Sequence, residues 1–194
     1  MLRVATGDVH ARLDGRFAGM VEAETPCLYH RFVRMNHACH AVVEPLLAAA
    51  DDGTMAAVLA GRPDLLRALE TDMAAMALTP LDHKAAKFSV AGPAEAAGLL
   101  YVLEGSRLGA RYLHHALTRG DAASRWPGIT MFYLESAAKP GHFSQFLDEL
   151  SSRLPTIGER QRSVEAALAA FSLFEKAADE AGNTGLRAVD HHPA

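Results

Sequence analysis

The sequence predicts an all-α protein, a single-domain irregular bundle of six or more helices, on three observations. Alanine, leucine, glutamate and arginine dominate, while aromatic residues make up only 7% of the chain, a composition that favours helix over strand. Apolar residues recur at three- and four-residue spacing over long stretches. Proline and glycine fall mostly between those stretches, where they start and stop helices. A length of 194 residues suits one domain with its own core. The domain is expected over 1–181, and the polar, glycine-containing segment 182–194 is expected to be a flexible tail.

The elements follow in order. Leu2, Thr6, Val9 and Leu13 lie at helical spacing and predict a first helix over Leu2 to Asp14. A second covers Thr25 to Ala50, with Pro26 in its first turn and Asp51-Asp52-Gly53 after it. Pro63 opens a third that ends near Leu78, before Pro80. Pro93 opens a fourth, running to about Thr118 and closed by Gly120. The segment from Asp121 to Gly141, with Pro127, Gly128 and Pro140, is expected to be irregular apart from a short element near Ile129 to Ser136. A fifth helix spans Phe143 to Leu154, stopped by Pro155. The last runs from Gly158 to Ala181, with Val164, Leu168, Phe171 and Phe174 on one side.

Composition also excludes functions. A net charge of −4 from 23 acidic and 19 basic residues supplies no basic surface for nucleic acid and no polybasic membrane patch. An anionic ligand must therefore be held by a few local Arg or Lys side chains. The longest apolar run, Ala96 to Leu103, is far below the roughly 20 residues of a spanning helix. Cys27 and Cys39, twelve residues apart in one helix, form neither a disulfide framework nor a metal knuckle. A soluble, cytoplasmic protein is expected.

Two features stand outside composition. Gly105 and Gly109 sit four residues apart inside a strong helical pattern, on one helix face. Each costs about 1 kcal/mol against alanine in a helix interior. Either another helix packs closely there, or a flat ligand lies against bare backbone and the helix bends. The second feature is His10. Arg3 precedes it by seven residues, two turns along the same face and about 10 Å away in a continuous helix, and Thr6 and Leu13 complete that face. A neutral imidazole suits haem iron and a guanidinium suits carboxylates.

Together these features resemble the haem oxygenase family. The opening Leu2-Arg3-Val4-Ala5-Thr6-Gly7-Asp8-Val9-His10 is similar to the family's N-terminal Leu-Lys/Arg-x-Ala-Thr-x-Glu/Asp-x-His pattern. The resemblance implies His10 as proximal ligand and Arg3 as partner of a haem propionate, with Thr6 and Leu13 beside them. Leu103-Glu104-Gly105-Ser106-Arg107-Leu108-Gly109-Ala110 resembles the distal helix of the bacterial branch, which includes enzymes that supply biliverdin to bacteriophytochromes. It implies that Gly105 and Gly109, with Leu108 and Ala110, line the haem, while Ser106 stands where animal-type enzymes carry an aspartate. Arg160-Gln161-Arg162 followed by Ala170-Phe171 is also family-like and makes Phe171 a pocket-lining ring. A later basic pair of the animal enzymes falls on Ser144 and Asp148, so Arg34 or a residue around Lys139 is expected to replace it.

The implied activity is cleavage of haem b, as both substrate and cofactor, to biliverdin, carbon monoxide and ferrous iron. It uses O2 and electrons from an external ferredoxin or reductase, since the chain shows no flavin, nicotinamide or iron–sulfur motif. A bacteriophytochrome is the implied acceptor of the product. The competing reading is a non-catalytic haem or tetrapyrrole carrier or sensor of the same fold. A thiaminase-like enzyme shares the architecture but calls for a nucleophilic cysteine among acids. His37 and His40, three residues apart, lack the Glu-rich pattern of a di-iron site.

Overall fold

In a computed structural model of the chain, residues 1–50, 62–82, 90, 92–120, 122–139 and 143–187 are described. Among them there is no strand, and the helices are α1 (Leu2–Ala5), α2 (Gly7–Gly15), α3 (Cys27–Ala50), α4 (Leu65–Ala75), α5 (Pro93–Arg119), α6 (Ala122–Arg125), α7 (Phe132–Ala138), α8 (Phe143–Ser152) and α9 (Ile157–Arg187).

Punctuation residues set most boundaries where expected. Pro93 occupies the first turn of α5, and the Gly120 amide closes it on the Ala116 carbonyl. Asp64 caps α4, accepting a hydrogen bond from the Arg67 amide at 3.0 Å, so that helix begins at Leu65 and not at Pro63. The irregular stretch holds one more helical turn than expected, α6, and its main element lies over Phe132–Ala138. Residues 51–61, including Asp51-Asp52-Gly53, together with Asp121, Pro140, Gly141 and 188–194, lie outside the described residues.

Two expected helices differ. The single first helix is divided at Thr6, whose amide and hydroxyl both turn back to the Leu2 carbonyl, at 2.9 and 3.0 Å. Such back-bonding by a β-branched residue just before Gly7 distorts a helix. The two-turn spacing from Arg3 to His10 is therefore interrupted. The last helix does not stop at Ala181. Arg31 and Arg34 donate to the Ala178 and Ala181 carbonyls at 2.7 and 3.3 Å, and a Cβ on Gly182 would come within 3.1 Å of the Arg31 guanidinium carbon. Gly182 admits a neighbour from α3; it does not end the helix, which continues to Arg187.

Packing divides into two cores. Met35, Cys39 and Val43 of α3 meet Leu99, Leu100 and Leu103 of α5 and Phe174 of α9 in the first. The second joins Tyr29 and Val33 of α3, Leu69 of α4, Leu117 of α5, Tyr133 of α7 and, between helices, Trp126. Helices α3 and α5 cross both. Where α5 meets α9, a Cβ on Gly98 would sit 2.1 Å from the Ser163 carbonyl oxygen and 3.0 Å from the Ala166 Cβ. Only glycine permits that approach. The paired α1–α2 segment lies on the outside of this frame: neither helix contains a fully buried residue, although Thr6 between them is buried.

Candidate functional site

Gly98, Gly105 and Gly109 lie seven and then four residues apart, so all three share one face of α5. At Gly98 that face is closed against α9. At Gly105 and Gly109 an added Cβ would meet nothing within 4 Å. Helix–helix packing therefore does not account for the two central glycines, and α5 runs through both without interruption. Beside the open stretch, the Tyr101 hydroxyl lies 3.4 Å from the Thr6 Oγ1, so the N-terminal segment is joined to α5 one turn before Gly105.

One turn beyond Thr6 stands His10, half exposed on α2. Its Nδ1 is 2.9 Å from Asp14 Oδ2 in an i,i+4 pair, and its ring meets Phe171 edge-on at 5.7 Å and 69°. A carboxylate that accepts a hydrogen bond from Nδ1–H fixes the tautomer and leaves the lone pair on Nε2, the arrangement an imidazole needs to ligate a metal. The sequence pattern marks His10, Phe171 and the glycines; Asp14, the orienting partner one turn on, belongs to no motif.

The other expected site residues divide. Arg3 is exposed and makes no hydrogen bond or ion pair within the described residues. Thr6 is 2% exposed and acts as the link to Tyr101. Leu13 is half-buried against the first core, and Leu108 is exposed on α5. Ala110 is not on the glycine face: a step of about 100° past Gly109 turns it inward, and it is fully buried in the second core. Ser106 is turned away from Gly105 by the same step. Its hydroxyl donates to the Leu103 carbonyl at 2.8 Å. Arg34 is committed elsewhere, with Nε on the Thr79 carbonyl at 2.8 Å and Nη1 on that of Ala181. Ala181 lies ten residues beyond Phe171, roughly 15 Å along α9. The Lys139 carbonyl accepts from Arg107 and Arg111, while its side chain is exposed, as is Asp148; the Ser144 side chain lies outside the described residues.

A buried polar chain flanking Gly105 has no counterpart in the sequence motifs. His40 Nδ1 bonds Glu44 at 3.1 Å; Glu44 receives Arg62 at 3.0 and 3.2 Å; Arg62 Nε bonds Glu104 at 2.7 Å; and Glu104 receives Arg107 at 2.6 Å. Burial opposes ionisation of Glu44, but the His40 hydrogen bond and the Arg62 charge outweigh it and hold the carboxyl down to about 2. Next to this chain the fully buried Tyr133 hydroxyl donates to Asn36 Oδ1 at 3.2 Å, and burial pushes that phenol up to about 12, so it keeps its proton. His40 Nε2 and Arg107 Nε are buried without a partner among the described residues. Buried polar atoms ordinarily find a partner, so an orphaned imidazole nitrogen points to a guest or water. His40 and Glu44 stand on α3, Glu104 and Arg107 on α5, and Arg62 in the segment before α4; the motif contains Glu104 and Arg107, but their link through Arg62 to α3 is tertiary and leaves no local pattern.

No family model matches the chain. Among solved structures, it is similar to the NO- and CO-bound haem oxygenase of Neisseria meningitidis, with a TM-score of 0.64 at 20% identity over 93% of this chain and 89% of that one. The chain has a haem oxygenase-like, all-helical fold. Among curated proteins it is 33% identical over 126 residues to a 5'-3' exonuclease of Mycobacterium tuberculosis, covering 63% of this chain but only 38% of that protein. The two likenesses point differently, and the structural one spans nearly all of both chains. Among the described residues no group of three His, Cys, Asp or Glu side chains is placed to hold a metal ion.

Proposed function

We propose that this chain is a haem oxygenase that binds haem b between His10 and the Gly105–Gly109 surface and opens it to biliverdin, carbon monoxide and ferrous iron. The observation that carries the reading is the pair of helical glycines whose missing side chains leave open space, in a haem oxygenase-like fold. The residues fit the ligand chemically. A Cβ at either glycine would occupy the face against which a flat ring would lie, and an imidazole with a carboxylate on its second nitrogen stands on the segment joined to that helix.

The haem, when bound, is both the macrocycle that is opened and the iron centre that carries the redox chemistry. His10 presents Nε2 while Asp14 holds the Nδ1 proton. Gly105 and Gly109, lacking side chains, would leave room for the ring against the bare backbone of α5. Phe171 closes the slot beside His10, and Arg3 is the cation for a propionate. Tyr133, protonated at neutral pH, keeps its proton on the polar flank, where it donates to Asn36, and the His40 ring lies against it at 5.9 Å. Electrons come from a ferredoxin or reductase, dioxygen is the co-substrate, and a bacteriophytochrome is the acceptor proposed for the product. A cytoplasmic setting keeps Cys27 and Cys39 as free thiols.

A second reading, a haem carrier or sensor, is favoured by the Ser106 hydroxyl, which is turned back onto Leu103. One experiment separates the two. Apoprotein and a His10→Ala variant are titrated with haemin, then given ascorbate under air. A sharp Soret band whose axial signature is lost in the variant, followed by a biliverdin band on reduction, is the expected result. An unchanged spectrum in His10→Ala moves the ligand elsewhere; a Soret band that survives reduction leaves the carrier.

A further inference from the structure

The helix that carries His10 is held by unusual means. None of its residues is fully buried, and Val9 and Leu13 touch the first core only partly. Its remaining ties run to α9. Arg12 bonds Glu175 at 3.2 Å and Arg16 bonds Asp179, both pairs spanning the same separation of 163 residues. Arg12 lies on α2 and Arg16 four residues on, at its C-cap, and their partners are i,i+4 on α9. Phe171, one turn earlier on α9, meets His10. Three successive turns of α9 thus engage α2 in chain order, and the two helices run alongside in the same direction. Asp179 also lies 3.9 Å from Arg31 of α3, whose guanidinium stands over the Phe17 ring just past the end of α2.

Val9 and Leu13 set how near α2 lies to the core, but two half-buried contacts leave its roll about its own axis loosely determined. Charge pairs on one flank fix that roll, and with it the direction of the His10 ring. We infer that Arg12 and Arg16, through Glu175 and Asp179, are positioning residues for His10: a two-rung charge clamp that aims the imidazole and controls how readily the α2 strap opens for ligand entry and release. The inference rests on the haem reading for its ligand, but the clamp on α2 itself does not. Exposed ion pairs are individually weak and are screened by salt. Set against so little buried surface, two of them together account for about a three- to tenfold change in the open population.

The test compares wild type, Arg12→Gln/Arg16→Gln, Arg12→Glu/Arg16→Glu, Glu175→Arg/Asp179→Arg and the four-fold charge swap. Amide exchange in residues 7–15 is measured on the apoprotein, and haemin release to excess apomyoglobin is measured at low and high NaCl. Each reversed pair is expected to raise exchange in 7–15 and to speed haemin release three- to tenfold, with a shifted His10 axial signature. The swap is expected to restore both, and high salt to quicken release from wild type but not from Arg12→Gln/Arg16→Gln. Unchanged exchange in the reversed pairs, or failure of the swap to rescue, overturns the clamp. If wild type binds no haemin, the haem reading fails and the exchange measurements alone decide the clamp.

Discussion

Three glycines on one helix face make opposite demands, and the difference is testable by adding one methyl group to each. At Gly98 a Cβ would strike the Ser163 carbonyl at 2.1 Å, so Gly98→Ala must push α5 and α9 apart. A loss of about 1–3 kcal/mol is expected from such overpacking. At Gly105 and Gly109 nothing lies within 4 Å, and alanine there regains about 1 kcal/mol of helix propensity per site. Urea denaturation should therefore show Gly98→Ala destabilised and Gly105→Ala/Gly109→Ala stabilised, while haemin binds the double variant more weakly. A double variant less stable than wild type would mean that the face is already packed in the free protein. Two of these glycines were legible in the sequence because they interrupt a good helix four residues apart. Gly98 was as visible, but its role depends on what crosses it, which no local pattern records.

Helices were legible in proportion to how locally their ends are determined. Pro93, Gly120 and Pro155 act through their own backbone, and α5 and α8 begin as the sequence indicates. The break at Thr6 and the continuation of α9 past Gly182 depend on hydrogen bonds whose competition with the helix cannot be read from periodicity. Helix α7 shows a tertiary determinant in pure form. Its N-terminal amides at Phe132 and Tyr133, and the Thr130 hydroxyl, are received at 3.0, 2.8 and 2.6 Å by the fully buried Asp72 of α4. Asp72→Ala would leave all three donors without their acceptor, and a loss of about 3 kcal/mol or more in chemical denaturation is predicted. The polar chain through α3 and α5 makes a second prediction at this scale. Glu44 folds with its carboxyl held down to about 2, below the ~4.3 of an unfolded glutamate. The unfolded chain therefore takes up this proton first as pH falls. The stabilisation from Glu44 is complete above about pH 5 and is lost progressively between about 4.3 and 2. Glu44→Gln should flatten the stability profile in that window while lowering stability at neutral pH, where Arg62 keeps only Glu104; an unchanged acid limb would show that the pair carries no linkage.

Across the whole molecule, the two cores share α3 and α5, while the proposed slot lies between α5 and an outer segment that contributes little buried surface. Such a division makes a binding site separable from the stability of the frame. A ligand that binds only the folded state adds stability by mass action, about 2.7 kcal/mol at a hundredfold excess over its dissociation constant. For a domain of this size that corresponds to a rise in melting temperature of roughly 5–10 °C. The apoprotein should therefore melt cooperatively without haemin, and haemin should raise the transition by that amount in wild type. Gly109→Leu, which fills the open face of α5, should melt near the wild-type apoprotein temperature yet gain little from haemin. His10→Ala should behave likewise, because its half-exposed ring contributes little to the core. A variant that melts normally and loses only the haemin increment locates the slot without any appeal to turnover. If Gly109→Leu retained the full increment, the ring would have to bind away from α5, and the open glycine face would be left without a ligand.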